Sequence, residues 1–169
     1  MKKNSGILLL LSFAGLLAVF FWMRKQGVPL KTPGTPLAIL DLEFAWNIDR
    51  VNNVLNAWKG DLLNVARNNI YIDFLFIVFY AGFLNLACNG LAARHVGGWQ
   101  TLGYKIGRLM PIAGILDVAE NALMLLTLQA TPNNNTALAT TAFALFKFAL
   151  VLVGIGYLLI AGSLRLVKR

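Results

Sequence analysis

Four apolar runs dominate this chain and restrict what it can fold into. They extend from about Gly6 to Met23, Ile70 to Ala92, Tyr104 to Leu128 and Ala137 to Leu164. Each is close to the roughly 20 residues that a helix needs to cross a hydrocarbon core about 30 Å thick. Inside that core a backbone N–H or C=O finds no water. A segment crossing it alone must satisfy those groups internally, which means a helix. Composition agrees: 58% of the 169 residues are hydrophobic and only 13% are charged, against roughly 25% charged in a soluble domain. The predicted fold class is an all-α integral membrane protein, a four-transmembrane-helix bundle. The expected arrangement is a single membrane domain over residues 1–169. Its spans lie at approximately 6–23, 70–92, 104–128 and 137–164, and an extracytoplasmic loop over 24–69 carries short interfacial helices.

The first run has Lys2 and Lys3 ahead of an apolar stretch, as a secretory signal does. The stretch is long, however, and ends Phe20-Phe21-Trp22-Met23-Arg24-Lys25, with no small-residue cleavage site. An uncleaved anchor is the expectation. Lys and Arg residues then set the orientation. With the N-terminus inside, Lys2, Lys3, Arg94, Lys105, Arg108, Arg165, Lys168 and Arg169 face inward, and Arg24, Lys25, Lys31, Arg50, Lys59 and Arg67 face outward. The uncharged turn from Thr131 to Thr136 suits the outer side. The chain is therefore expected in the cytoplasmic (inner) membrane of a bacterial-type cell, with both termini cytoplasmic.

The formal net charge of +8 is scattered around the spans rather than gathered on one face. It reads as contact with anionic headgroups, not as a nucleic-acid footprint. Membrane lipids are the expected partners, and no nucleic acid is. A lone cysteine, Cys88, sits in an apolar run, and the lone histidine, His95, sits in a polar loop. Neither supports a disulfide, a zinc site or a haem, so no metal and no cofactor is expected.

The outer loop opens with Pro29, Pro33, Gly34 and Pro36, an extended connector. Leu37 to Trp46 follows and contains Asp41 and Glu43. Asn47 is the expected N-cap of a helix bearing Ile48, Val51, Leu55 and Trp58 on one stripe, and Gly60 ends it. Two readings of this stripe are open. In one, the helix lies on the membrane with Trp58 in the interface. In the other, it packs as a lid over the bundle and offers Asp41 or Glu43 to a ligand or partner. Trp46 and Trp58 are the aromatic candidates of this loop.

The chemically distinctive residues lie inside the spans. Asp117, Glu120 and Asn121 are spaced i, i+3 and i+4 and share one helix face. Three polar groups on one face of an apolar span point to a bundle interior or a wet cavity rather than to lipid, because a charge at the bilayer centre costs about 2.5–3.5 kcal/mol. Counting about 1.5 Å of rise per residue from the outer ends puts Glu120 and Lys147 at similar depth. The short turn between the third and fourth spans makes them antiparallel neighbours. Lys147 is thus the expected partner of Asp117 or Glu120. Asp73, about one turn below the outer surface, is within reach of water or Arg67, and Tyr80 follows at i+7 on its face. Pro111 is a candidate kink. Gly103-x-x-x-Gly107 matches a small-residue packing pattern, and Asn85 and Asn89 form a polar i, i+4 pair.

Two roles fit Asp73, Tyr80, Asp117, Glu120, Asn121 and Lys147: ligand binding, or pairing of helices by polar contacts. The leading expectation is a non-enzymatic membrane protein whose polar cluster binds a lipid or an amphipathic small molecule, or docks a membrane partner. Alternatives are an accessory or assembly subunit of a larger membrane complex, a homo-oligomer among the possible assemblies, and a proton- or solute-transport protein. Acid–base catalysis by Asp117 or Glu120 is disfavoured, since no nucleophile, nucleotide-binding loop or metal-ligand set accompanies them.

Overall fold

A computed structural model describes residues 3–129 and 132–167. Lys2, Lys168 and Arg169, used above for orientation, and Thr131 of the uncharged turn lie outside the described residues. All regular structure in the described residues is helical: α1 (Lys3–Gln26), α2 (Ile39–Glu43), α3 (Ile48–Ala57), α4 (Asp61–Ala92), α5 (Gly98–Gln129) and α6 (Asn134–Val167), with a single 3-10 turn at Val28–Leu30. Four of these, α1, α4, α5 and α6, are long and apolar enough to cross a membrane.

The helices run beyond the apolar runs that predict them. Helix α4 starts at Asp61, nine residues before the apolar stretch at Ile70. Asp73 therefore sits about three turns into the helix. The polar extension is held by α1: Gln26 Nε2 donates to Val65 O at 2.9 Å, and Asn69 Nδ2 donates to Met23 O at 3.0 Å and Gln26 Oε1 at 2.7 Å.

Helix α4 packs on α1 and α5, α5 packs on α6, and α4 meets α6 over a shorter stretch. In lipid, helices gain nothing from leaving water, so close approach and polar contacts must hold them. The Gly103-x-x-x-Gly107 pattern supplies close approach. A Cβ on Gly103 would lie against the Tyr157 hydroxyl and 2.7 Å from Ala92 Cβ, and one on Gly107 would come within 2.8 Å of Asn89 Oδ1. Asn85 Nδ2 donates to Gly107 O at 2.7 Å, and the Tyr157 hydroxyl donates to Trp99 O at 3.1 Å. His95 is tied to this end as well, with Nε2 3.1 Å from Ala161 O. Pro111 is accommodated within α5, which continues through it.

The connector from Gly27 to Gly60 folds back on the helices. Trp58 is fully buried, and its indole N–H donates to Leu30 O and Thr35 Oγ1, each at 3.0 Å. This corrects the interfacial placement of Trp58. The stripe of α3 faces protein, where Val51 and Val54 join Leu30, Leu42, Ala66, Ile70 and Met124 in one core. An indole whose N–H is consumed internally has no polar edge left for a headgroup layer. Asn47 caps α3 as expected, accepting from Arg50 N at 2.9 Å. Trp46 is exposed and carries the Arg50 guanidinium over its ring, 3.3 Å from the centroid.

Candidate functional site

Helix α2 has only five residues, but its placement decides the site. Its start is pinned by Asp41, whose carboxylate accepts from Leu37 N at 2.7 Å. Ala38, just before it, adopts φ 59°, a conformation that costs a non-glycine residue about 1–3 kcal/mol and persists only where the surroundings impose it. Here they do. Thr141 Oγ1 of α6 donates to Glu43 O at 3.0 Å, the Phe44 and Phe148 rings stack 5.8 Å apart, and Ile48 N donates to Asn134 Oδ1 at 2.8 Å. The connector is thereby fastened along α6, and the Glu43 side chain is driven inward.

Lys147 is the centre of the cluster. Its ammonium lies 2.7 Å from Asp117 Oδ1, 2.9 Å from Glu120 Oε2 and 3.5 Å from Glu43 Oε2. All four side chains are 8% exposed or less. Three carboxylates therefore converge on one cation in a setting where each charge is costly unless compensated. Burial raises the Glu43 carboxyl above the ordinary carboxylate range, with the Lys147 charge working against that rise. Sequence spacing identified Asp117 and Glu120 as the candidate partners of Lys147, and the structure brings both to it at once. It also adds Glu43 as a third ligand of the same ammonium. The clue to Glu43 was its flanks: it lies between Leu42 and Phe44, apolar neighbours that favour an inward face.

Asp73 belongs to a second layer. Its Oδ2 accepts from Asn121 Nδ2 at 2.7 Å. Arg67, the cation expected to reach it, bonds Asn64 Oδ1 instead at 3.1 Å. The geometric reason is the longer helix: Arg67 lies nearly two turns nearer the connector than Asp73. Tyr80, on the same face, has a buried hydroxyl without a hydrogen-bond partner, and Asn121 Oδ1 is likewise buried and unpartnered. Thr140 turns back onto its own helix, donating to Thr136 O at 2.9 Å.

Glu43, Asp73, Tyr80, Asp117, Asn121 and Lys147 border a cavity of about 730 Å³. One side is α1, with Leu16, Phe20 and Met23; the opposite side is α6, with Lys147, Phe148, Val151 and Ile155. Helix α4 forms the floor with Asp73, Phe76 and Tyr80, α5 contributes Asp117 and Asn121, and the connector from Pro36 to Glu43 covers one end. Glu120 is fully buried behind this wall. Arg24 and Lys31, both exposed, border the same space at the connector end. Phe20, Phe76, Arg24 and Lys31 carry no sequence signal of a site. They are ordinary members of an apolar span or its flank, and only the crossing of α1 over α4 brings them to the cavity. Of the outer-loop candidates, Glu43 reaches the cluster. Asp41, Trp46 and Trp58 do not: the first caps a turn, the second faces outward and the third is locked in the connector core.

Among the described residues, no group of three or more His, Cys, Asp and Glu side chains is arranged to hold a metal ion. The arrangement offers a largely apolar space with a few convergent polar groups at one place in its wall, the general form of a small-molecule site. Compared with known proteins, the chain matches no protein-family model, no curated protein and no solved structure.

Proposed function

We propose that this chain is an integral membrane protein that binds a lipid or another amphipathic small molecule in the cavity between α1 and α6. One observation carries the reading: an apolar space of about 730 Å³ and the buried, unpartnered Tyr80 hydroxyl and Asn121 carbonyl meet in the same wall. The volume lies inside the roughly 300–1,000 Å³ of small-molecule pockets. Buried polar atoms without partners cost about 1–3 kcal/mol each, so a ligand that bonded them would be favoured by that release. The flanking helices support access from the membrane itself. Helix α1 packs on α4, while α6 packs on α5 and α4, so α1 and α6 face each other across the cavity instead of closing it.

In this reading the four long helices form a transmembrane bundle in the cytoplasmic membrane. The basic-residue bias supports cytoplasmic termini and an extracytoplasmic connector. The ring of Glu43, Asp117 and Glu120 around Lys147 holds α2, α5 and α6 together, and Asp73, Tyr80 and Asn121 meet the ligand. No reaction is assigned, because the carboxylates are engaged with Lys147 rather than set beside a nucleophile.

Native mass spectrometry of protein extracted gently from its own membranes tests this. The expected spectrum contains a bound species of a few hundred daltons that is weakened in Val151→Trp, whose larger side chain would narrow the apolar part of the cavity. A wild-type protein without any such species, or one that Val151→Trp retains in full, contradicts the reading. A stoichiometric protein partner in its place would move the function to an accessory subunit.

A further inference from the structure

We infer that the polar end of the cavity is a site for a protonated amine: a ligand ammonium held by Asp73, Tyr80 and Asn121. This rests on the cavity-binding reading and names the chemical class of its occupant.

The charges around the cavity favour a cation. Every ion pair among the described residues uses Lys147, whose ammonium already meets three carboxylates. Asp73 is paired with no cation. Its one polar contact is the neutral Asn121 amide, at 2.7 Å. A carboxylate offers about four acceptor positions, so Asp73 has capacity left on the side that borders the cavity. An anionic headgroup placed there would face Asp73 and Asp117 together, whereas an ammonium would offset the excess of negative charge.

The free hydrogen-bonding positions favour a donor. Asn121, which lines the cavity, gives its N–H to Asp73, and its Oδ1 is left buried without a hydrogen-bond partner. The Tyr80 hydroxyl, on a residue only 7% exposed, is also unpartnered and can accept. With Asp73, these are three acceptor-bearing residues in the lining of one cavity. An ammonium carries three donors and no acceptor. A neutral hydroxyl carries a single donor and would leave most of these positions unfilled.

Aromatic rings line the same part of the cavity. Phe20 and Phe76 have ring centroids 6.2 Å apart, and Phe76 and Tyr80 have theirs 5.5 Å apart, giving a continuous aromatic surface beside Asp73. Ring faces attract cations and do little for anions. Along the rest of the cavity, Leu16, Val151 and Ile155 suit an alkyl chain.

Two sources can present an ammonium on an apolar body: a free long-chain amine, and the headgroup of an aminophospholipid. In the second case Arg24 and Lys31, at the connector end of the cavity, are available to the phosphate. The experiment uses the full chain in a neutral maltoside detergent and titrates dodecylamine, dodecanol and dodecanoate, following bound mass by native mass spectrometry. It is repeated in nanodiscs containing phosphatidylethanolamine or phosphatidylglycerol. Dodecylamine is expected to bind about tenfold to a hundredfold more tightly than dodecanol, the range of a charge-assisted hydrogen bond. In Asp73→Asn that amine-to-alcohol ratio is expected to fall to about threefold or less. The substituted side chain still has a carbonyl to accept from Asn121, so the fold is kept. Phosphatidylethanolamine retained over phosphatidylglycerol, with the same dependence on Asp73, identifies the lipid headgroup as the source; preference confined to dodecylamine identifies a free amine. Equal binding of amine and alcohol, or tighter binding of dodecanoate, overturns the amine site while leaving the cavity reading intact. Binding of none of these ligands, in either setting, overturns both.

Discussion

Replacing Lys147 by methionine should do far more damage than removing any one of the acids around it. The ammonium lies within 3.5 Å of Glu43, Asp117 and Glu120, all nearly inaccessible. Lys147→Met keeps the length and apolar volume of the side chain, so it removes charge with little change in packing. It leaves three buried carboxylates around an apolar group. Breaking a buried ion pair from one side costs about 3–5 kcal/mol, because the remaining charge is uncompensated. That corresponds to roughly two to nearly four powers of ten in the folded-to-unfolded ratio. Glu120→Gln is the contrasting case. It leaves Lys147 with two carboxylates and reduces the local negative excess, so its cost should stay within about 1 kcal/mol. Adding Asp117→Asn and Glu120→Gln to Lys147→Met should recover most of the loss, since little charge then remains to be desolvated. The assay is reversible unfolding in mixed micelles of dodecyl sulfate and maltoside, followed by far-ultraviolet circular dichroism. The reasoning is refuted if Lys147→Met unfolds within about 1 kcal/mol of wild type, or if Glu120→Gln is equally damaging.

Three further outcomes follow from the packing and the buried charges. Trp58→Ala removes the largest fully buried side chain of the connector together with its two hydrogen bonds. It should destabilise the protein by about 3–5 kcal/mol, with limited proteolysis opening the segment from Gly27 to Gly60 before the long helices. Gly103→Val places a side chain where Tyr157 and Ala92 already sit. Overpacking of this kind costs about 1–3 kcal/mol, read in the same micellar unfolding assay. For Glu43 the sign follows from its raised carboxyl. The folded state holds a proton that the unfolded chain releases near pH 4.3, so this group's stabilisation is complete below that pH and is lost as pH rises through the higher folded value. The apparent melting temperature should therefore decline with rising pH across that window, and Glu43→Gln should flatten the decline.

Much of the fold was legible because the bilayer requirement writes itself into sequence as length and hydropathy. The four long helices contain the four apolar runs. Their ends were not legible, because Asp61 to Asn69 and Gly98 to Gly103 are too polar to register as span, yet they continue the helices. The core of the site was partly legible. Helical spacing put Asp117, Glu120 and Asn121 on one face, and depth matched them to Lys147. Glu43 and Trp58 show the limit. A five-residue helix and a proline-rich connector carry almost no periodicity. The direction in which Glu43 points is set by Thr141, Asn134 and Phe148, between 91 and 105 positions further along the chain. Trp58 at helical spacing fits lipid or protein; only the acceptors at Leu30 and Thr35 decide between them. The cavity could not be read at all, since it exists only through the way α1 and α6 flank α4.

The most direct measurement of the central claim is an electron cryo-microscopy structure of the chain in nanodiscs of its native lipids, with a bound antibody fragment for size. The expected map has elongated density between α1 and α6, its narrow part along Leu16, Phe20, Val151 and Ile155 and its end within hydrogen-bond distance of Asp73, Tyr80 and Asn121. A map in which α1 closes against α6, or in which the space is open and holds only water, would contradict it.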